Sequence, residues 1–343
     1  MTDSDVATVA SAVARPRLSW STALTILAFS IMTVYASAVS LHTIDVETKI
    51  VAADFSLQQY RQVLAGERGF PYQWRVLGTY MVYAGERLTG LPPHTIDIAL
   101  KTLLLWTSTM LLFLFSQWYT SESGAYAVVG YYMLLNVPAF TDEQYSIYFT
   151  NDYAMLVCWF AAVYFVRLER FGWATLMTFI GAWAKETMLL VPVLLGLGAL
   201  RSSKLRVPFV VTSVAFVIPT AILRFVYPAP LAKWAWWDMV FTNVPFLQRS
   251  LDQFTATIKN NIKVALFYNV FWVLAARRVL SGSDRFATDL AITSVVYLLL
   301  AYPVIYIREL RHFLPLAIVV LPLAINAIEQ RSADRLPAWR RAL

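Results

Sequence analysis

Three groups of polar residues flank or interrupt long apolar runs in this chain, and their types and spacing have chemical meaning. Lys185-Glu186-Thr187 stands between two apolar runs that are each short for a full span. A charge at membrane depth is costly and marks a functional hypothesis. Lys185 and Glu186 are therefore read either as an ion pair capping a re-entrant turn or as substrate contacts. Arg308-Glu309-Leu310-Arg311-His312 opens the last apolar run. On a helix, residues three and four apart share a face, so Arg308, Arg311 and His312 would form one basic surface. Arginine grips phosphate through two parallel hydrogen bonds, so this surface suits an anionic group. The competing reading is contact with lipid headgroups, and Glu309 could neutralise one of the arginines.

The third group is carboxylates. Asp45-Val46-Glu47 follows the first apolar run, as a solvated turn or a cation site, and Asp54 stands just before a helical pattern. Asp54 is placed either to cap that helix or to act on a substrate. Arg75, in Tyr72-Gln73-Trp74-Arg75-Val76-Leu77, is a snorkelling interface residue or a substrate contact. Trp234, Trp236 and Trp237 belong to an aromatic interface belt or stack on a sugar or an isoprenoid chain. The three histidines, His42, His94 and His312, are far apart and form no HExxH pair, so no zinc site is expected. His42, His94 and the lone Cys158 are read as structural, and no cofactor is implied.

The elements that must position these groups follow from composition. Of 343 residues 59% are hydrophobic and 14% charged, with a mean hydropathy of +0.57; a soluble chain would carry roughly 25% charged residues. The apolar residues form continuous runs, near 19–41, 97–117, 124–140, 152–167, 171–184, 188–200, 207–226, 262–276, 287–306 and 312–328. A helix of about 20 apolar residues spans a hydrocarbon core of roughly 30 Å, and only helices and closed barrels satisfy their backbone there. The reading is an all-α polytopic transmembrane bundle of about ten spans in a single membrane domain covering 1–343. Such runs leave no room for a soluble domain.

The net charge of +7 is explained by the positive-inside rule rather than by nucleic acid. Arg15 and Arg17 precede the first span, and Arg167 and Arg170 follow the fourth. Arg201, Lys204 and Arg206 follow the sixth, Arg277, Arg278 and Arg285 the eighth, and Arg331, Arg335, Arg340 and Arg341 lie in the tail. The turn 118–123 has no Lys or Arg. Both termini (1–18 and 329–343) are then cytoplasmic, and the large loops 42–96 and 227–261 lie outside with the short 141–151. Asp97, Asp142, Glu143 and Asp152 map to the outer side as well. Ala36-Ser37-Ala38 resembles a signal-peptidase site, but apolar character continues to Leu41, so an uncleaved anchor is expected. In the first outer loop, Ser56 and Gln59 make a capping-box start, with Leu57, Tyr60, Val63 and Leu64 at helical spacing up to Gly66. Val76, Leu77, Tyr80, Met81, Ala84 and Leu88 again share one face. Such helices lie in the membrane interface and would form a shelf over the bundle mouth.

The stretch Asp54-Phe55, Tyr60, Gly66, Pro71-Tyr72 resembles the first-loop pattern of GT-C membrane glycosyltransferases, especially bacterial polyprenol-phosphate-mannose-dependent mannosyltransferases. The Lys185-Glu186 break and Glu309-Leu310-Arg311-His312-Phe313-Leu314-Pro315 also resemble parts of that superfamily's later spans. The resemblance implies a multi-pass enzyme of a bacterial inner membrane. It would move a sugar from a polyprenyl-phosphate donor to a glycan or lipid acceptor on the non-cytoplasmic face, with an outer-loop acid as base. Asp54 would take the acceptor's proton, and Arg308, Arg311, His312 or Lys185 would hold the leaving phosphate. Asp45, Glu47, Arg75, Glu186 and Trp236 would be further substrate contacts. The chain lacks the soluble C-terminal domain of some members. Three other readings stand beside this one: a transporter or lipid flippase, a polymerase or ligase of lipid-linked glycans, and a non-catalytic membrane subunit.

Overall fold

A computed structural model describes residues 16, 18–43, 57–58, 60–67, 75–141, 149–226, 244, 250–282, 284–301 and 310–335. Among the described residues the chain is helical, with no strand. In chain order the α-helices are α1 (Trp20–Thr43), α2 (Leu77–Thr89), α3 (Pro93–Ser116), α4 (Glu122–Thr141), α5 (Thr150–Arg167) and α6 (Phe171–Ala182). They continue as α7 (Leu190–Ala199), α8 (Arg206–Val226), α9 (Leu251–Tyr268), α10 (Val270–Leu280), α11 (Arg285–Ala301) and α12 (Ala317–Arg335). Three helical stretches, Pro93–Ser116, Ser203–Val226 and Leu310–Ser332, are long and apolar enough to cross a membrane, which associates the chain with a bilayer.

Two elements form the centre. Helix α5 is buried along nearly its whole length, from Thr150 to Val166, and packs on α3 and α6. Beside it runs the 3-10 turn Leu310–Leu316, every residue of which is buried, continuing into α12. A buried 3-10 turn leaves carbonyls short of good partners, and in a bundle interior each must be satisfied by protein. Three side chains do this. The Tyr297 hydroxyl donates to the His312 carbonyl at 2.5 Å, that of Tyr268 to Phe313 at 2.9 Å, and the Trp159 indole N–H to Pro315 at 2.9 Å.

The apolar run 262–276, expected as one span, is instead two helices. The chain breaks at Asn269, whose backbone has φ 39°. Asn tolerates positive φ better than most residues, and its side-chain oxygen accepts from the Val270 N–H that starts the next helix. Helix α6 is also short: 12 residues rise about 18 Å, well under the roughly 30 Å of a hydrocarbon core. The break after it holds Lys185 in an extended conformation (φ −166°, ψ 147°) before the 3-10 turn Glu186–Leu189.

The helical segment at 60–64 buries Tyr60 and Val63 and stops where Gly66 turns at φ 75°. Helix α2 forms where expected but buries a different face. Gly78, Thr79 and Val82 are inside, whereas Tyr80 and Leu88 of the expected apolar face are 39% and 85% exposed. The reason is close approach: a Cβ at Gly78 would lie 2.5 Å from the backbone nitrogen of Asn151. Small residues, not large apolar ones, let α2 reach α5.

Polar contacts collect at the two ends of the bundle. At one end Arg167 pairs with Asp284 at 2.6 Å, Arg201 with Asp289, and Arg278 Nε donates to the Asn326 side-chain oxygen Oδ1 at 2.5 Å. Ser121 donates there to Glu329. The turns 118–123, 168–170 and 201–206, with Arg278 and Asp284, thus share that end with the last helix. The other end holds Arg75, the start of α5, the break at Lys185 and the turn at Arg311.

Candidate functional site

The site is built on the first turn of α5, where three consecutive polar residues each reach a different element. Thr150 donates its hydroxyl to Asp97 of α3. Asn151 accepts from the Gly78 N–H of α2 at 2.7 Å. Asp152 receives Lys185 Nζ on one oxygen at 2.5 Å and faces Arg311 Nε with the other at 3.2 Å. Lys185 Nζ also lies 3.0 Å from His312 Nδ1. An ammonium only donates, so with Lys185 charged this bond runs from Nζ to Nδ1.

Asp152, Lys185, Arg311 and His312 are all buried, none more than 7% exposed. Removing one such charge from water costs several kcal/mol unless it is paired. The Asp152 carboxylate answers both cations at once. The Arg311 guanidinium also stacks over the Phe149 ring, 4.0 Å from its centre, and Lys101 approaches the same ring at 6.0 Å. Lys101 is itself paired with Asp97 at 2.7 Å, a fully buried pair one helical turn apart.

Arg75 and Glu186 form a 3.0 Å pair at the more open edge of this group. The pair is reinforced by main chain, because the N–H groups of Val76 and Leu77 both donate to the Trp183 carbonyl, at 2.9 and 3.1 Å. Next to them is an apolar cavity of about 340 Å³ lined by Val76, Leu77, Tyr80, Trp183, Ile222, Leu223 and Val226. Elsewhere on α2, Tyr60 donates to Glu86 at 2.9 Å. Burial and that carboxylate push the Tyr60 phenol well above its usual range, so it remains a donor and ties the helical segment at 60–64 to α2.

Of the residues expected from sequence, Lys185, Arg311 and His312 are brought together, and Arg75 and Glu186 stand beside them as a mutual pair. Asp45, Glu47, Asp54, Trp236 and Arg308 lie outside the described residues. Arg311 and His312 are buried in a 3-10 turn, not displayed on an α-helical surface. That replaces the reading of an exposed headgroup contact for these two residues, because Pro315 interrupts the turn and aromatic side chains draw it inward. Asp152 is the residue that sequence reasoning missed. It was grouped with the outer loop acids, although a carboxylate following Thr150 and Asn151 at the head of an apolar run is itself a warning of a buried polar site. Among the described residues no group of His, Cys, Asp or Glu is arranged to hold a metal ion.

The fold and site together define a helical membrane-associated protein with a buried, cation-rich centre beside an apolar cleft. The chain matches no family model, no curated protein and no solved structure.

Proposed function

We propose that this chain is a membrane glycosyltransferase of GT-C type that takes a sugar from a polyprenyl-phosphate donor. Its acceptor is a glycan or a lipid on the non-cytoplasmic face of a bacterial inner membrane. In this reading the chain crosses the bilayer about ten times, the end rich in Arg167, Arg201 and Arg278 is cytoplasmic, and both termini lie there. The observation that carries the proposal is the buried cluster at Asp152. Lys185 and Arg311 bring two positive charges to one carboxylate, and the neighbouring pairs Arg75–Glu186 and Asp97–Lys101 are neutral. A buried site where Lys185 and Arg311 converge favours a phosphate, and the apolar cleft at Val76 and Trp183 favours one attached to a hydrocarbon chain.

The chemistry is a displacement at the sugar's anomeric carbon. The acceptor hydroxyl oxygen forms the new bond while the bond to the phosphate oxygen breaks, and the hydroxyl proton passes to Asp54. The electron pair of the broken bond stays on the phosphate, whose charge changes from −1 in the diester to −2 in the leaving monoester. Lys185 and Arg311 stabilise that developing charge in a site with little water, where such contacts are strongest.

The test is mass spectrometry of the lipid that co-purifies with the protein. Polyprenyl phosphate, free or sugar-linked, is expected with the parent protein. Arg311→Ala should weaken its binding by roughly 1.5–3 kcal/mol, the usual worth of a hydrogen bond to a charged group. Equal recovery from both proteins would overturn the assignment. Transport is a second reading, favoured by the charged break between α6 and α7. Substrate flux into vesicles without a covalent product would support it instead.

A further inference from the structure

We infer that Phe149 is a positioning residue of the proposed phosphate site, its ring fixing the plane in which the Arg311 guanidinium meets a ligand. The inference rests on the lipid-phosphate reading above and adds the residue that prepares its arginine.

Two residues at the head of one helix reach the same guanidinium. Phe149 stands at the N-cap of α5 and Asp152 in its first turn, and side chains three positions apart on a helix are neighbours. The central carbon of the Arg311 guanidinium lies over the Phe149 ring, 4.0 Å from its centre. Carbon atoms in contact sit roughly 3.5–4.0 Å apart, so this spacing lays the planar group flat on the ring. From the side, Asp152 approaches Arg311 Nε at 3.2 Å. A contact on the face fixes the plane of the guanidinium, and one on its edge fixes the rotation within that plane. Phe149, Asp152 and Arg311 are all buried, and a cation–π contact is strongest where water is excluded. Lys101 also approaches this ring, but at 6.0 Å and with the Asp97 carboxylate 2.7 Å away, so Arg311 is the nearer cation.

A phosphate meets arginine in the guanidinium plane, through two parallel N–H bonds. It competes there with the Asp152 carboxylate. It does not compete with the ring, which takes the face and leaves the plane to the anion. An unheld arginine samples many rotamers, and a ligand that must first order it binds more weakly. Phe149 does that ordering beforehand. Phe149→Leu keeps an apolar side chain and removes the π face. It should weaken binding about threefold to thirtyfold, the fold-change that corresponds to a buried cation–π contact.

The experiment is isothermal titration of the full-length protein in detergent with farnesyl methyl phosphate. It compares the parent, Phe149→Leu, Arg311→Ala and the double variant, at probe concentrations that saturate Arg311→Ala. The expected result is weaker binding in Phe149→Leu, with the double variant no weaker than Arg311→Ala, because no guanidinium remains for the ring to orient. A residue that merely packed the start of α5 would weaken binding alike in both backgrounds. Equal losses in the two, or no loss in Phe149→Leu, would therefore overturn the inference while leaving a lipid-phosphate site in place. Absence of binding to the parent protein would instead sink the lipid-phosphate reading, and the inference with it. If Phe149→Leu does not fold, Phe149→Met takes its place in the same comparison and the same outcomes decide.

Discussion

Asp97→Ala is expected to destabilise the protein by about 3–5 kcal/mol, the usual cost of removing one partner from a buried ion pair. Asp97 is fully buried and Lys101 nearly so, and they meet at 2.7 Å. Lys101 would lose its paired carboxylate in a buried site beside Phe149, and the Thr150 hydroxyl would lose its Asp97 acceptor. The penalty comes from breaking the buried pair on one side only, not from a large net worth of the pair. The double variant Asp97→Leu with Lys101→Met should therefore recover most of the loss, since apolar replacements of buried pairs are often neutral. Thermal unfolding in detergent reads both. A single variant as stable as the parent would mean that Lys101 reaches water or another carboxylate, and that the start of α5 is held by other means.

The second large effect concerns catalysis. Asp54→Asn should lower the rate of sugar transfer by roughly 10²–10⁴-fold, the range for loss of a general base, while donor binding is kept. The reaction needs a carboxylate that is ionised near neutral pH, and an aspartate with an ordinary pKa of about 3.9 meets that need. Asp152 is unsuited to the task because Lys185 and Arg311 already occupy both of its oxygens. Asp45→Asn and Glu47→Gln should lose much less. Near-normal turnover in Asp54→Asn together with an inactive Asp45→Asn or Glu47→Gln would transfer the role to the earlier pair. Lost stability with unchanged specific activity would reduce Asp54 to a helix cap.

Much of the helical framework could be read from hydropathy, because a long apolar run without charges has few other structures open to it. The run 97–117 is contained almost wholly in α3, and 207–226 in α8. Hydropathy could not see the break at Asn269, where one residue with positive φ and a capping side chain divides an apolar stretch. It also misjudged α2. Counting large apolar residues selected Tyr80 and Leu88, whereas contact with α5 is made through Gly78, whose value is the absence of a side chain.

At the site, Lys185, Arg311 and His312 were legible because basic and polar residues beside apolar runs stand out. Their convergence was not. Lys185 lies 33 residues from Asp152 and 127 from His312, and a single sequence does not say which helix ends meet. Asp152 was overlooked for the same reason. At the boundary of a span, an acid that faces solvent and one that faces two buried cations look alike.

A structure of the protein with farnesyl methyl phosphate bound tests most directly whether Lys185 and Arg311 hold a lipid phosphate beside the apolar cleft. Phosphate oxygens are expected within about 3 Å of Lys185 Nζ and the Arg311 guanidinium, with the farnesyl chain running toward Trp183 and Leu223. A phosphate bound elsewhere, with both cations still closed on Asp152, would contradict it.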